Sequence, residues 1–128
     1  MNKLIIDVVG EKIFLMIITS SNIYNITYEN TKINYEKLTK LINDFLISYN
    51  LTISDISTIY VNKGPGSFAG IRNSLSTVKA FNVAKKIDYY CYSLDDFEGE
   101  IDVRYENIPD LCKKYNIKKN LINPVYIS

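Results

Sequence analysis

Histidine is absent from all 128 residues. Without an imidazole there is no Ser-His-Asp or Cys-His nucleophile, no HExxH zinc helix, and no side chain whose unperturbed pKa lies near neutrality. Cysteine is scarce: Cys91 and Cys112 stand alone, without CxxC spacing, which suits reduced thiols in a cytosolic protein better than a disulfide framework. An excess of either charge is also missing. Fifteen basic residues against fourteen acidic ones leave a formal net charge of +1, so no global field recruits nucleic acid, anionic membrane or an acidic substrate. The longest unbroken apolar run, Ile13 to Ile18, is far short of the roughly 20 residues that a spanning helix needs. Met1-Asn2-Lys3 leads into a strand-like segment rather than a signal-peptide pattern, so a cytoplasmic location is expected. Any chemistry must rest on carboxylates, Lys, Tyr, Cys or a borrowed group, which favours a binding protein over an enzyme.

What is present is apolar material for one core: 47% of the residues are hydrophobic, in a length that suits a single domain. The first third alternates β-rich segments with turn residues. Leu4 to Asp7, Ile13 to Thr19 and Ile23 to Tyr28 predict a three-strand antiparallel meander. The period then becomes helical: Tyr35, Leu38, Leu41, Ile42, Phe45, Leu46 and Tyr49 fall within an arc of roughly 140°, with Asn34 as N-cap and Asn50 as stop. Ser57 to Val61 predicts a fourth strand, Ser67 to about Lys85 a second long helix, and Tyr89 to Tyr92 a fifth strand. Beyond Ser93 the pattern weakens to an acidic turn and one short helix over Pro109 to Tyr115, with Pro at its first position. The expected architecture is an α/β lobe over residues 1–96, followed by a remnant over 97–128 too short to be an independent domain.

The most distinctive stretch is Gly64-Pro65-Gly66-Ser67-Phe68-Ala69-Gly70-Ile71-Arg72. A glycine-rich turn between strand and helix can bind an anion, because free N–H groups and a partial positive charge gather at a helix N-terminus. It can equally be structural, with Gly64 and Gly66 supplying unusual backbone angles, Pro65 fixing one φ and Ser67 capping the helix. Neither the GxxxxGK[ST] nor the GxGxxG spacing is met. Both readings stay open on the residues alone.

The string GPGSFAGIR, with the helix Asn73-Ser74-Leu75-Ser76-Thr77-Val78-Lys79-Ala80 behind it, resembles the GPGSFTGLRIGLATAKG signature of the TsaB (YeaZ) family, the glycoprotease-like (Gcp-like) scaffold subunits of tRNA threonylcarbamoyladenosine synthesis. Gly64, Pro65, Gly66, Ser67, Phe68 and Gly70 carry that signature. Leu4 to Asp7 is similar to the family's opening strand, Leu38 to Leu51 to its first helix, and Asn123-Pro124-Val125-Tyr126-Ile127 to its closing PVYLR. The resemblance implies an actin-like, ribonuclease-H-like lobe with a mixed five-stranded sheet and two long helices, the second lobe being largely missing here. It implies a non-catalytic partner that binds the TsaD-type catalytic subunit, helps recruit a TsaE-type ATPase, meets tRNA only through the complex, and can homodimerise. No cofactor, metal or catalytic residue is expected of the chain itself.

The expected partner surface lies on the two helices. Phe68, Ile71, Leu75 and Val78 form a stripe that should cover the sheet, and a second stripe of Gly70, Ser74, Thr77, Phe81 and Ala84 would let another helix approach. Together with Leu38, Leu41, Phe45 and Arg72, the residues Gly70, Ser74, Thr77 and Phe81 are the candidate interface. Two departures from the family pattern stand out: Asp7 is followed by Val8-Val9-Gly10 instead of a DTS-like turn, and Asn34-Tyr35 replaces a His-Ser pair. Alternatives are a degenerate homodimerising paralogue, an autonomous phosphotransferase, or a metal-dependent nuclease of the ribonuclease-H-like fold. The nuclease would need carboxylates beside Asp7, with Glu36 as one candidate, yet the fourth strand ends in Asn62-Lys63.

Overall fold

In the computed structural model, residues 1–124 and the backbone of 126–127 are described; Val125 and Ser128, and with them part of the closing segment that resembles the family, lie outside the described residues. Strands β1 (Asn2–Asp7), β2 (Lys12–Ile18) and β3 (Ile23–Glu29) form the expected antiparallel meander. Strand β4 (Ile56–Asn62) then pairs parallel to β1, and β5 (Asp88–Tyr92) parallel to β4, giving the order β3-β2-β1-β4-β5. The sheet is therefore mixed, with its parallel half built on crossovers through helices.

Among the described residues the α-helices are α1 (Lys32–Glu36), α2 (Leu38–Ile47), α3 (Phe68–Lys85) and α4 (Ile108–Lys114). The helix expected to run from Tyr35 to Tyr49 is thus two helices, and Asn34 is not its cap. Thr31 caps α1 instead, its side chain accepting from the Asn34 N–H, and Lys37, at φ −110° and ψ 29°, leaves helical geometry between them. At the far end Asn50 takes φ 59°, the left-handed stop expected of Asn.

Side chains alternate across the sheet with period two, and each face has its own core. Leu4, Ile6, Ile13, Leu15, Ile17, Ile59, Val61, Tyr89 and Cys91 meet α2 and α3 through Leu38, Ile42, Phe45, Ile71, Leu75 and Val78. On the other face Ile5, Met16, Tyr60 and Tyr92 meet Phe97, Ile108, Leu111 and Cys112. Residues after Phe97 are therefore the cover of an apolar sheet face. Pro109 sits in the first turn of α4, where a missing N–H costs nothing. The same segment closes the sheet's edge: Asn120 donates its backbone N–H to the Tyr89 carbonyl at 2.8 Å and accepts the Tyr89 N–H on its side-chain oxygen at 2.9 Å.

Both thiols lie inside these cores, and burial raises Cys91 and Cys112 from the ordinary 9.0 to about 12. Burial likewise raises the Tyr60 phenol from 10.0 to about 12. A thiol or phenol that ionises less readily when folded leaves the unfolded chain to lose its protons first, so the unfolded state gains as pH rises. Stability should be flat up to about pH 8.5 and fall progressively between about pH 9 and 12. Urea titrations at pH 7.5 and 10.5 check this, and Cys91→Ala combined with Cys112→Ala should flatten the loss.

Candidate functional site

The carboxyl ends of β1 and β4, where open α/β sheets place their chemistry, are occupied by a buried hydrogen-bond cluster around Asp7. One Asp7 oxygen accepts the Val9 N–H at 3.0 Å, which pins the turn after β1. The other accepts from the Asn62 side-chain amide at 3.1 Å and from the Tyr105 hydroxyl at 2.9 Å. Asp7 is only 6% exposed and Asn62 only 3%, so a carboxylate in this position relies on those donors. Tyr105 reaches it from beyond the lobe and stacks on Phe14, with ring centroids 3.9 Å apart. Burial, followed by the Asp7 charge and the hydrogen bond to it, holds the Tyr105 phenol well above its usual range. It therefore stays a donor at any ordinary pH. The Tyr92 hydroxyl, buried without a protein partner, is likewise held protonated by burial and by Asp7.

Asn62 also links this cluster to the signature loop, its oxygen accepting the Gly64 N–H at 3.0 Å. Gly64 adopts φ 112°, a conformation that glycine tolerates. Gly66 does not have a positive φ, and its role is space. A Cβ there would lie 3.0 Å from Ile71 Cδ1 and 3.1 Å from Val9 Cβ, so this glycine lets the loop close over the turn after β1. Gly66 and Ser67 pair in parallel with Tyr126 and Ile127. Ser67 occupies the N-cap position of α3, but its side chain makes no capping bond. The loop's donors are thus drawn largely into the chain's own structure, which favours the structural of the two readings that the residues leave open.

The helical residues separate into two groups. Leu38, Leu41, Phe45, Gly70, Ser74 and Phe81 are buried within the chain, and Ser74, fully enclosed, donates its hydroxyl to the Ile71 carbonyl at 2.9 Å. A Cβ on Gly70 would meet the Val8 carbonyl at 3.3 Å, so the small residues let α3 settle on the turn after β1 and on its own neighbours. All six are thus packed within the chain, so a partner would meet this helix chiefly through its other residues. Thr77 is half-buried, and Arg72 alone of the eight is exposed. Phe68, expected to cover the sheet, is 52% exposed and carries the Arg72 guanidinium 5.8 Å from its ring centre. The exposed face of α3 therefore runs through Phe68, Arg72, Ser76, Lys79, Ala80 and Val83; of these only Arg72 is among the residues expected at a partner surface, because a spacing of three to four fits two faces of an 18-residue helix.

No cluster of three or more His, Cys, Asp or Glu side chains able to hold a metal occurs among the described residues. Glu36 is exposed at the end of α1, whereas Asp7 is buried. No helix among the described residues is long and apolar enough to cross a membrane.

Tyr105→Phe keeps the stack on Phe14 and removes one donor from a buried carboxylate, so it should cost about 1–3 kcal/mol in denaturant unfolding. Ser74→Leu should destabilise the isolated chain by about 1–3 kcal/mol, since the new side chain has no room. An unchanged melting temperature for Ser74→Leu would return that residue to the surface.

The likeness to known proteins agrees with this geometry. No curated protein matches the sequence. Among solved structures, YeaZ from Pseudomonas aeruginosa superposes with a TM-score of 0.66 at 18% identity, over 72% of this chain and 43% of that one. The chain thus corresponds to less than half the length of that protein. RuvC of T. thermophilus, solved in complex with a Holliday junction substrate, superposes with a TM-score of 0.53 at 9% identity, over 98% of this chain and 85% of the other. Both place the chain in the ribonuclease-H-like, actin-like class of folds. The family model described as "TsaD: tRNA N6-adenosine threonylcarbamoyltransferase" matches residues 30–99, more than half the chain and the stretch that holds α2, the signature loop and α3. The chain belongs to that TsaD family, and its fold is similar to that of YeaZ.

Proposed function

We propose that this protein is a non-catalytic partner subunit that binds a TsaD-type catalytic subunit in tRNA N6-threonylcarbamoyladenosine modification. The observation that carries the reading is the closure of Asp7. The acid at the end of the first strand has its oxygens committed to Val9, Asn62 and Tyr105, although it borders a cavity of about 490 Å³ that Phe14, Met16, Leu94 and Tyr105 also line. Asn62 takes the place of a second acid. A nuclease would need several carboxylates converging on that acid, and among the described residues no group of three or more metal-ligating side chains does so. We read the chain as a single lobe, 1–96, with residues 97–128 a short remnant that is not an independent domain. Partner docking survives this arrangement better than any activity that depends on a cleft between lobes. A TsaE-type ATPase is a further candidate partner, and tRNA would be met only through the complex.

The exposed side of α3 supports the same reading. Phe68 and Val83, 52% and 67% exposed, project from a helix whose opposite side is fully committed to the core. Large apolar groups of this kind, with an arginine between them, are typical of protein contact surfaces. The purified chain should neither hydrolyse ATP nor cut nucleic acid, and it should co-elute with a TsaD-type subunit in size-exclusion chromatography. Arg72→Ala should weaken that complex by about 1–3 kcal/mol and leave the melting temperature of the free protein unchanged. Turnover that follows the protein through purification and disappears with Asp7→Asn would overturn the proposal.

A further inference from the structure

The sheet face that α4 covers is left partly open. Helix α4 has seven residues and spans roughly 10 Å, whereas β4, also of seven residues, spans roughly 23 Å. Lys3 shares this face with Ile5, two residues along β1; Ile5 lies beside Tyr60, and Tyr60 beside Tyr90. Between Lys3, Tyr60 and Tyr90 on the sheet and Asp110 and Lys113 on α4 is a cavity of about 460 Å³, closed on a third side by Asn116 in the turn after the helix. Sites for small molecules occupy roughly 300–1,000 Å³, so the space is sufficient for one.

Its polar groups are unspent. Neither Lys3 nor Lys113 has a carboxylate partner among the described residues, and Asp110 has no cation; nearby, Lys114 pairs with Glu100 and Lys119 with Asp88. The hydroxyls of Tyr60 and Tyr90 make no hydrogen bond among the described residues, whereas Tyr105 donates to Asp7 and Tyr115 to Glu100. Burial raises the Tyr60 phenol to about 12, so it stays a donor. Two ammonium groups and two phenols against one carboxylate complement an anion rich in acceptor oxygens. Asp110 would repel a bare anion, and it gains a use only if the ligand also carries hydroxyl or amino donors. It stands three residues from Lys113, on the same side of α4, so one molecule can meet both. The rings of Tyr60 and Tyr90 stack with centroids 5.3 Å apart and planes 10° from parallel, a surface that suits a further flat ring. A phosphate, hydroxyls and a planar base unite these requirements in one small molecule. We infer that this cavity binds a nucleoside monophosphate, with Lys3 and Lys113 on the phosphate, Asp110 on the ribose hydroxyls or a base amino group, and the tyrosine pair beside the base. The site lies on the opposite sheet face from α3, and it does not rest on the partner-subunit reading.

Calorimetric titration of the purified chain at low salt with AMP, GMP, CMP and UMP, with the corresponding nucleosides and with inorganic phosphate tests this. At least one nucleotide should bind one to one, about tenfold or more tighter than its own nucleoside and than phosphate. Lys113→Gln, on an exposed residue, and Lys3→Gln should each weaken that binding at least about fivefold. Lys32→Gln, an equal change of charge at an exposed position on α1, should leave it unchanged. Asp110→Asn separates a nucleotide from a bare anion by its sign: it should weaken the nucleotide, which loses an acceptor, and strengthen phosphate, which loses a repelling charge. In the isotope-labelled chain, the nucleotide should shift the backbone amide resonances of Lys3, Tyr90 and Lys113. The inference fails if none of the four nucleotides binds, if phosphate binds as tightly as the nucleotide, or if Lys113→Gln leaves the affinity unaltered. Shifts confined to Gly64–Gly70 would assign the nucleotide to the signature loop and overturn it as well.

Discussion

The Asp7 carboxylate is the constraint on which the rest of the molecule depends. It lies almost fully buried, and a charge there is tolerable only if every donor around it is held in place. Those donors come from three distant parts of the chain: the turn after β1 through Val9, the end of β4 through Asn62, and the C-terminal segment through Tyr105. Because Asn62 also fixes Gly64, the geometry of the signature loop, and with it the start of α3, is tied to the same point. An acid at this place in a ribonuclease-H-like sheet could serve chemistry. Its hydrogen bonds also make it a joint between the two halves of the fold.

That joint explains how a chain of this length keeps a two-faced sheet. One face is covered by α2 and α3, as expected of the lobe. The other would be bare without Phe97, Ile108, Leu111 and Cys112, which lie beyond the last strand. The C-terminal segment therefore carries two duties: it hides Ile5, Met16, Tyr60 and Tyr92 from water, and it delivers Tyr105 to Asp7.

The strands are legible in the sequence because alternating β-branched residues between turn signals leave little choice of phase, and β4 and β5 are fixed by the same signal. The arc of α2 is equally plain: Leu38, Leu41, Ile42, Phe45 and Leu46 are buried together. Three features are not legible. The break at Lys37 arises because Thr31 offers a better cap than Asn34, a competition between near-equal local choices. The division of α3 into core and surface depends on which of two similar stripes meets the sheet, and only the packing of Gly70 against Val8 settles it. The contact between Asp7 and Tyr105 spans the chain, and no local pattern announces a partner that far away. The signature loop itself was readable as a family mark, while the division of labour between Gly64, which bends, and Gly66, which yields space, needed coordinates.

The position of the second core late in the chain has a consequence for synthesis. Strands β1 and β2 emerge early and can pair at once, yet the residues that shield their other face emerge only after β5. Once β4 and β5 have paired, and until the residues after Phe97 dock, an apolar strip containing Ile5, Met16, Tyr60 and Tyr92 is left open, on a sheet whose β5 edge is not yet closed by Asn120. Such a surface invites pairing with other nascent chains. The α3 face of the sheet can meanwhile consolidate, since all of its helices precede β5. Docking of α4 and Tyr105 is then the step that ends this exposure, which makes the final few dozen residues of the described chain the guard against misassembly for everything made before them.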